Sequence, residues 1–252
     1  MWPRVAPTLA ERFSVVGPDL RGYGRSEGPD EIRTEHYTKR AMGQDVVQLM
    51  DALGYDRFTV AGHDRGGRVA YHLALDQPQL VDRLAVLDVI PTLENYERAT
   101  WQRANEIFVS YFYPQPYPYP ETLIGNAPDY HLEYLLEHGS QTDDPFAEAA
   151  VAEYREAIHD ARTLRTMMEG YRAGFYFDTK FDQEDREAGN IIERPSLAMY
   201  TASKALTGVD PSVVWQDWMS NVQGETIDAG HFFPQEAPEE TAGVLDAHFT
   251  SD

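Results

Sequence analysis

Gly62-His63-Asp64-Arg65-Gly66 is the stretch of sequence that decides the fold. It follows an apolar run at 58–61 and precedes a run with helical spacing at 67–74. A strand that enters a helix through Gly-x-x-x-Gly is typical of a nucleophile elbow, whose central residue is usually serine. We expect glycine to be required at both flanks because the turn is tight and the two backbones come close. With aspartate at the centre, the pattern predicts alkyl transfer through an aspartyl ester.

The overall composition is typical of a globular domain with one insertion. The chain has 252 residues, of which 42% are hydrophobic and 12% aromatic, which is enough to bury a substantial core. Its formal net charge of -21 disfavours nucleic acid and anionic membrane surfaces as partners. No apolar run approaches the ~20 residues of a membrane span, and no signal peptide is recognisable. The absence of cysteine excludes thiolate catalysis and is compatible with the cytoplasmic location that we expect.

Strands and helices alternate at the two ends of the chain. Short β-rich runs predict strands at 13–16, 58–61, 84–90, 196–201 and 225–228, and helices are predicted at 36–54, 67–74, 213–219 and 236–248. Such alternation predicts an α/β fold with a mostly parallel, doubly wound sheet, whose active groups lie at the carboxyl ends of the strands.

The middle of the chain has a different character. Helical stretches dominate residues 92–194, interrupted by a Tyr-Pro-rich segment at 113–120 that cannot lie inside a helix, because proline removes hydrogen-bond donors. We therefore predict a core made of residues 1–91 and 195–252 and an inserted helical cap segment made of residues 92–194. The aromatic residues at 111–120 either cover the cleft or pack a homodimer, and the oligomeric state stays open.

Three polar residues follow predicted strands in the order Asp64, Asp88 and His231. In this order Asp64 would attack the substrate, His231 would activate water against the resulting ester, and Asp88 would hold the imidazole. The alternatives are a helix N-cap for Asp64 and a structural ion pair for Asp88, since an isolated acid in an apolar run needs a partner. The other seven histidines are interpreted as surface or core residues: His36, His63, His72, His131, His138, His159 and His248.

Over its whole length the chain resembles the α/β-hydrolase superfamily, in particular its fluoroacetate/haloacetate dehalogenase branch, which is close to the epoxide hydrolases. The resemblance rests on residues 16–24, 62–68, 84–92, 171–174 and 230–233. It implies an α/β-hydrolase fold with an inserted helical cap and hydrolytic dehalogenation of a small 2-haloacid. It implies no metal and no organic cofactor. Epoxide hydrolases more often carry tryptophan where Arg65 stands.

The resemblance also implies substrate-binding residues. Two arginines spaced like Arg65 and Arg68 bind the substrate carboxylate in such dehalogenases, and a small anion entering a protein of charge -21 needs local positive charge. Tyr171 matches a cap tyrosine that donates to the leaving halide or to an epoxide oxygen. The alternatives are that the arginines pair with surface acids and that Tyr171 is a buried tyrosine bonded to the backbone. The expected partner is therefore a small carboxylate anion.

Two departures from the family bear on function. In the family a His-Trp pair in the cap binds the halide, and those positions, counted back from Tyr111 and Phe112, are Val109 and Ser110 here. The valine side chain has no hydrogen-bond donor, and the serine hydroxyl is on a short side chain. We therefore expect substrates whose halide leaves more easily than fluoride. The other cap tyrosine of epoxide hydrolases would fall near Phe108.

The second departure concerns the start of the chain. Family members carry further strands upstream of the segment that matches residues 2–7, together with a loop that supplies an oxyanion donor besides the backbone N–H of Arg65. We therefore expect a fragment of a longer product, with low stability and with activity lowered by roughly 10²–10³ if the chain begins at Met1. Three hypotheses follow: a haloacid dehalogenase, an epoxide hydrolase, and a catalytically impaired binding protein of this fold.

Overall fold

A computed structural model describes residues 1–143, 145–202 and 210–251. Its strands are β1 Phe58–His63, β2 Val81–Leu87, β3 Ser196–Thr201 and β4 Val222–Ile227. The helices before the second half of the sheet are α1 Ala6–Leu9, α2 Lys39–Ala52, α3 Arg65–Asp76, α4 Thr92–Glu97, α5 Trp101–Glu106, α6 Val109–Phe112, α7 Tyr119–Gly125, α8 Pro128–Gly139, α9 Glu148–His159, α10 Ala161–Ala173 and α11 Thr179–Ala188. Those that follow are α12 Pro211–Trp215, α13 Phe233–Glu236 and α14 Pro238–Thr250. A 3₁₀ turn at Thr34–Tyr37 precedes α2, and a π-helical turn at Gly174–Asp178 precedes α11.

The four strands form one parallel sheet in the order β1-β2-β3-β4. At the end of β1, His63 pairs with Leu87 of β2, which pairs in turn with Met199 of β3. Because every neighbouring pair is parallel, the carboxyl ends of all four strands lie at one edge of the sheet. The predicted α/β fold with a mostly parallel sheet is confirmed.

Two apolar clusters cover the two faces of this sheet. One lies under α3 and α12 and includes Tyr71, Leu84, Val86, Trp215 and Trp218, and the other lies under α1, α13 and α14 and includes Val5, Leu87, Leu197, Phe233 and Leu245. Full burial of such side chains stabilises the fold by about 1.5–3 kcal/mol each relative to exposure. The strand ends that carry the polar residues are therefore held from both sides.

The strand predicted at 13–16 is wrong. These residues form no strand, and Val15 and Val16 are 43% and 37% exposed. A run rich in β-branched residues becomes a strand only where a neighbour completes its hydrogen bonds. No backbone hydrogen bond joins these residues to any of the four strands that the structure describes.

The other predicted elements are present with shifted boundaries. β2 ends at Leu87 rather than at residue 90, because Asp88 has a φ of 51° and leaves the extended conformation. α12 begins at Pro211 rather than at residue 213, because the side chain of Asp210 accepts a hydrogen bond from the backbone N–H of Ser212 and caps the helix. α14 begins at Pro238 rather than at residue 236, with proline in its first turn.

The described residues between Thr92 and Ala188 contain helices and no strand. Buried polar contacts join this stretch to the core: Lys39 of α2 forms an ion pair with Asp178 at 3.0 Å, and the carboxylate of Asp182 accepts from the hydroxyl of Tyr71 at 2.8 Å. The division into a core at 1–91 and 195–252 and a cap segment at 92–194 stays a prediction. No helix in the described ranges is long and apolar enough to cross a membrane.

Candidate active site

Asp64 occupies the turn between β1 and α3. Its φ of 46° and ψ of -112° lie in a region that side chains other than glycine seldom adopt, so the turn is strained. Two hydrogen bonds hold it: the N–H of Asp64 donates to the carbonyl of Leu87 at 2.9 Å, and its carbonyl accepts from the N–H of Arg68 at 3.1 Å. The side chain of Asp64 is 38% exposed, and a solute can therefore reach its carboxylate.

Two glycines make this turn possible, although they are not the pair that the sequence predicts. A Cβ on Gly62 would lie 2.2 Å from the backbone of Gly66, and a Cβ on Gly67 would lie 2.8 Å from the carbonyl oxygen of Gly62. A Cβ on Gly66 would meet no atom within 4 Å among the described residues. The requirement predicted for Gly66 is wrong, because the close approach of helix to strand occurs one residue later, at Gly67.

His231 lies between the two aspartates. Its Nδ1 is 2.6 Å from Oδ2 of Asp88, and its Nε2 is 4.0 Å from Oδ2 of Asp64. The other oxygen of Asp88 accepts from the backbone N–H of Thr201 at 3.1 Å, and Asp88 is only 3% exposed. The structure thus brings together the three residues Asp64, Asp88 and His231, which come from the ends of β1, β2 and β4.

His63 supports His231, although the sequence analysis treated it as a core or surface residue. Its Nε2 donates to the carbonyl of His231 at 2.7 Å, and the two ring centroids are 4.6 Å apart. Burial, and then the charge of His231, lower the pKa of His63 to about 3, so this donor is a neutral imidazole. The backbone N–H of His231 donates to the carbonyl of Gly139 at 2.7 Å, which joins the histidine to the end of α8.

The electrostatics of the site favour an ionised Asp64. Burial raises the pKa of Asp64, but the charges of His231, His63, Arg68 and Arg65 lower it by more, so that its pKa lies below the ordinary value. Burial lowers the pKa of His231, but the hydrogen bond and charge of Asp88, together with the charge of Asp64, place it above the ordinary value. Asp64 is therefore an anion over the range in which His231 titrates.

Arg65 lies against the cap segment. Its guanidinium carbon is 3.8 Å from the centroid of the Tyr171 ring, a cation–π contact. Its Nη2 packs against Gly170, whose Cβ, if present, would lie 2.6 Å away. Burial raises the pKa of Tyr171, and the net pKa stays above its ordinary value despite the opposing charge of Arg65. Tyr171 therefore remains a protonated phenol beside Arg65.

Neither Arg65 nor Arg68 has an acidic partner. Within the described ranges, no carboxylate oxygen lies within 4.0 Å of a side-chain nitrogen of either residue. Nε and Nη2 of Arg65 are buried and have no hydrogen-bond partner there. Arg65 and Arg68 are three residues apart in the first turn of α3, a spacing that places them on one face of the helix. Among the described residues, Arg65 and Arg68 therefore do not form the ion pairs with surface acids that were the alternative.

Val109 and Ser110 lie at the start of α6. Val109 packs against an apolar cluster of the cap segment that contains Tyr113, Ile124 and Leu132. The carbonyl of Ser110 accepts from the hydroxyl of Tyr96 at 3.0 Å. The substrate-binding role expected at these two positions stays a prediction.

Arg103 was missed by the sequence analysis. It lies on α5, is 4% exposed, and its Nη2 donates to Oδ1 of Asn95 at 2.7 Å. Nothing in the sequence around it distinguishes it from a surface arginine of an amphipathic helix, because its neighbours in space come from other segments.

Comparisons with known proteins fit this geometry. The alpha/beta hydrolase fold family model matches residues 1–238. The chain is 38% identical to a fluoroacetate dehalogenase from Burkholderia sp, covering 100% of the chain and 83% of the relative. It is 34% identical to a soluble epoxide hydrolase from Corynebacterium sp. (strain C12), covering 94% of the chain and 81% of the relative. The solved structure of ALR0039 from Nostoc sp PCC 7120 superimposes with a TM-score of 0.95 at 38% identity, covering 100% of this chain and 86% of that one.

Proposed function

Because the chain belongs to the α/β-hydrolase family, we propose that it hydrolyses the carbon–halogen bond of a small 2-halo carboxylate such as chloroacetate or bromoacetate. The observation that carries this proposal is an ionised Asp64 with His231 at 4.0 Å on one side and, in the first turn of α3, two arginines without acidic partners among the described residues. The 38% identity to a protein named fluoroacetate dehalogenase supports it.

The first step is displacement at carbon. A carboxylate oxygen of Asp64 attacks the carbon that bears the halogen, a C–O bond forms, and the halide leaves with the electron pair of the C–X bond. Asp64 loses its negative charge as the ester forms, and the halide carries that charge away. Arg65 and Arg68 hold the substrate carboxylate, since a guanidinium matches the planar geometry of a carboxylate.

The second step is hydrolysis of the ester. His231 takes a proton from water, and the resulting hydroxide attacks the carbonyl carbon of the Asp64 ester, with the backbone N–H of Arg65 as a donor to the oxyanion. As the intermediate collapses, protonated His231 gives its proton to the departing alkoxide, which leaves as the 2-hydroxy acid, and the Asp64 carboxylate is restored. Ester formation also removes a negative charge that raises the pKa of His231. The histidine therefore becomes easier to deprotonate at the stage at which it must act as a base.

A second candidate is epoxide hydrolysis by the same Asp64 and His231. Tyr171, a protonated phenol 3.8 Å from Arg65, would donate to the epoxide oxygen as the ring opens. The 34% identity to a soluble epoxide hydrolase supports this reading. The two candidates differ in what Arg65 and Arg68 do, because an uncharged epoxide has no carboxylate to bind.

Trapping the ester tests the proposal. His231→Ala incubated with chloroacetate should gain the mass of one carboxymethyl group, mapped to Asp64, while Asp64→Asn should gain none. In the wild type, chloride and bromide release from chloroacetate and bromoacetate should be catalytic. Turnover of styrene oxide without turnover of either haloacetate would replace the proposal by the second candidate. No adduct with any alkyl halide or epoxide would favour a binding protein that keeps the fold.

Arg68→Met gives a matched test of the carboxylate contact. It should raise the KM for chloroacetate by about 10–100-fold, the range expected for loss of a charge-assisted hydrogen bond of about 1.5–3 kcal/mol. Hydrolysis of an uncharged alkyl halide of similar size should change little. Equal loss with the charged and the uncharged substrate would contradict a carboxylate-binding role.

A further inference from the structure

Arg103 is a buried cation with two nitrogens, Nε and Nη1, that have no hydrogen-bond partner among the described residues. The residue is 4% exposed, and only its Nη2 has a partner, Oδ1 of Asn95 at 2.7 Å. Nε and Nη1 are buried without a hydrogen-bond partner, and no carboxylate lies within 4.0 Å of them among the described residues. Buried donors left in this state are rare in folded proteins and call for an explanation.

The other arginines of the cap segment all have partners. Five pair with carboxylates: Arg98 with Glu94, Arg155 with Asp129, Arg165 with Glu169, Arg172 with Glu121, and Arg186 with Glu97. Two donate to backbone carbonyls: Arg162 to that of Pro29 and Arg194 to that of Pro78. Within the described part of the segment, Arg103 therefore differs from every other arginine in having two buried, unpaired N–H groups.

The contacts of Arg103 join it to the segment that follows Asp88. Its hydrogen bond to Asn95 connects it to α4, which begins shortly after Asp88 at the end of β2. Burial, and then the positive charge of Arg68, lower the pKa of Arg103 to about 10, while Tyr111, the exposed Glu106 and Asp88 raise it. The hydroxyl of Tyr111 is also buried without a hydrogen-bond partner in the described ranges. The unpaired groups on this side of the site can all donate hydrogen bonds, as an anion requires.

The chemistry of the proposed reaction gives this anion an identity. Formation of the Asp64 ester removes one negative charge from the site, while Arg65 and Arg68, whose charges act on Asp64, keep theirs. The anion formed in that step is the departing halide, which accepts hydrogen bonds and cannot donate them, and so fits the unpaired donors of Arg103 and Tyr111.

The direction of displacement agrees with this assignment. A halide leaves on the side of the carbon opposite to the attacking oxygen, and Asp64 belongs to the core whereas Arg103 belongs to the cap segment. We propose that Arg103 binds the halide as it leaves. This inference rests on the proposed function. It supplies a donor for the leaving group on α5, where the expectation from Val109 and Ser110 on α6 was a pocket poor in donors.

Leaving-group dependence tests the role of Arg103. In single-turnover experiments, Arg103→Met should lower the rate of chloride release from chloroacetate by about 100-fold or more, as expected for loss of a preorganised donor to a developing anion. The rate of bromide release from bromoacetate should fall less, because bromide needs less stabilisation as it leaves. Arg103→Lys, which keeps the charge, should recover part of the rate. Arg57→Met, which removes an exposed arginine paired with Asp82, should leave both rates unchanged.

Other patterns would overturn the inference. A rise in KM for both haloacetates with unchanged single-turnover rates would assign Arg103 to the substrate carboxylate. Equal slowing of both substrates with a lowered Tm would assign it a structural role.

Chloride binding separates this inference from the proposed function. The wild type should broaden the ³⁵Cl NMR line of added chloride, Arg103→Met should lose most of that broadening, and Arg57→Met should keep it. If the wild type releases no halide but still binds chloride through Arg103, the anion subsite stands and the proposed function fails. If the wild type releases halide and Arg103→Met binds chloride as the wild type does, the subsite fails and the proposed function stands.

Discussion

Nδ1 of His231 donates to Oδ2 of Asp88 at 2.6 Å, across 143 residues of sequence. Asp88 reaches this position because it turns out of β2 with a φ of 51°, and its second oxygen is held by the N–H of Thr201. Both carboxylate oxygens are thus engaged, and the imidazole is held with Nε2 toward Asp64. The contact explains how an acid inside an apolar run of sequence is tolerated.

Replacing Asp88 should separate the two steps of the reaction. We expect Asp88→Asn to lower kcat by roughly 10²–10⁴, because the imidazole loses the partner that sets its tautomer and stabilises its charged form. The first halide should still appear as a burst, since attack by Asp64 needs no base. Rapid-quench measurement of halide release checks this. Asp228→Asn, at an exposed position after β4, is the control, and loss of the burst would contradict the assignment.

Ester hydrolysis should depend on pH with a definite sign. The base form of His231 is needed, so kcat should fall as pH decreases through the pKa of His231, which Asp88 raises. Asp88→Asn removes that contribution and should move the midpoint to lower pH, although the absolute rate is smaller. Steady-state and burst rates from about pH 5 to about pH 9 test this. A burst that falls together with kcat would contradict a role for His231 confined to the second step.

Substitution of Gly62, which lies in close contact with backbone atoms, should affect stability differently from substitution of Gly66. Gly62→Ala places a Cβ 2.2 Å from backbone atoms of Gly66 and should destabilise the fold by more than about 4 kcal/mol. Gly66→Ala meets no described atom within 4 Å and should raise stability by about 0.5–1 kcal/mol through helix propensity. Urea unfolding of both variants provides the measurement, and a destabilised Gly66→Ala would mean that the tight contact was misassigned.

The buried pair Lys39–Asp178 should behave as a unit. Burial lowers the pKa of Lys39 to about 8, although Asp178 raises it, and both side chains are almost fully buried. Lys39→Met should destabilise by about 3–5 kcal/mol because it leaves the Asp178 charge alone, whereas Lys39→Met with Asp178→Leu should recover most of the loss.

Exposed Lys180→Met is the control for this pair and should change stability by less than about 0.5 kcal/mol. Thermal and urea unfolding at neutral pH would measure all three variants. A double variant no more stable than Lys39→Met would contradict the view that the pair acts as a unit.

Much of the fold and the central residues of the site could be predicted because their signals are local. The Gly-x-Asp-x-Gly turn lies between a strand pattern and a helix pattern, and Asp88 and His231 each follow a predicted strand. Parallel strands place their carboxyl ends at one edge. Local signals failed for residues 13–16, where high β-propensity occurs without a neighbouring strand among the described residues.

The sequence by itself determined the parallel α/β fold, the identity of the central residue Asp64, and the order of its two expected partners. Only the tertiary structure decided that Gly67 rather than Gly66 is the tight glycine, that His63 supports His231, and that Arg103 is buried with two unpaired N–H groups. Each of these depends on atoms from segments distant along the chain, such as the His63–His231 contact across 168 residues. Strand and helix propensities carry no information about such contacts, because packing between the elements creates them.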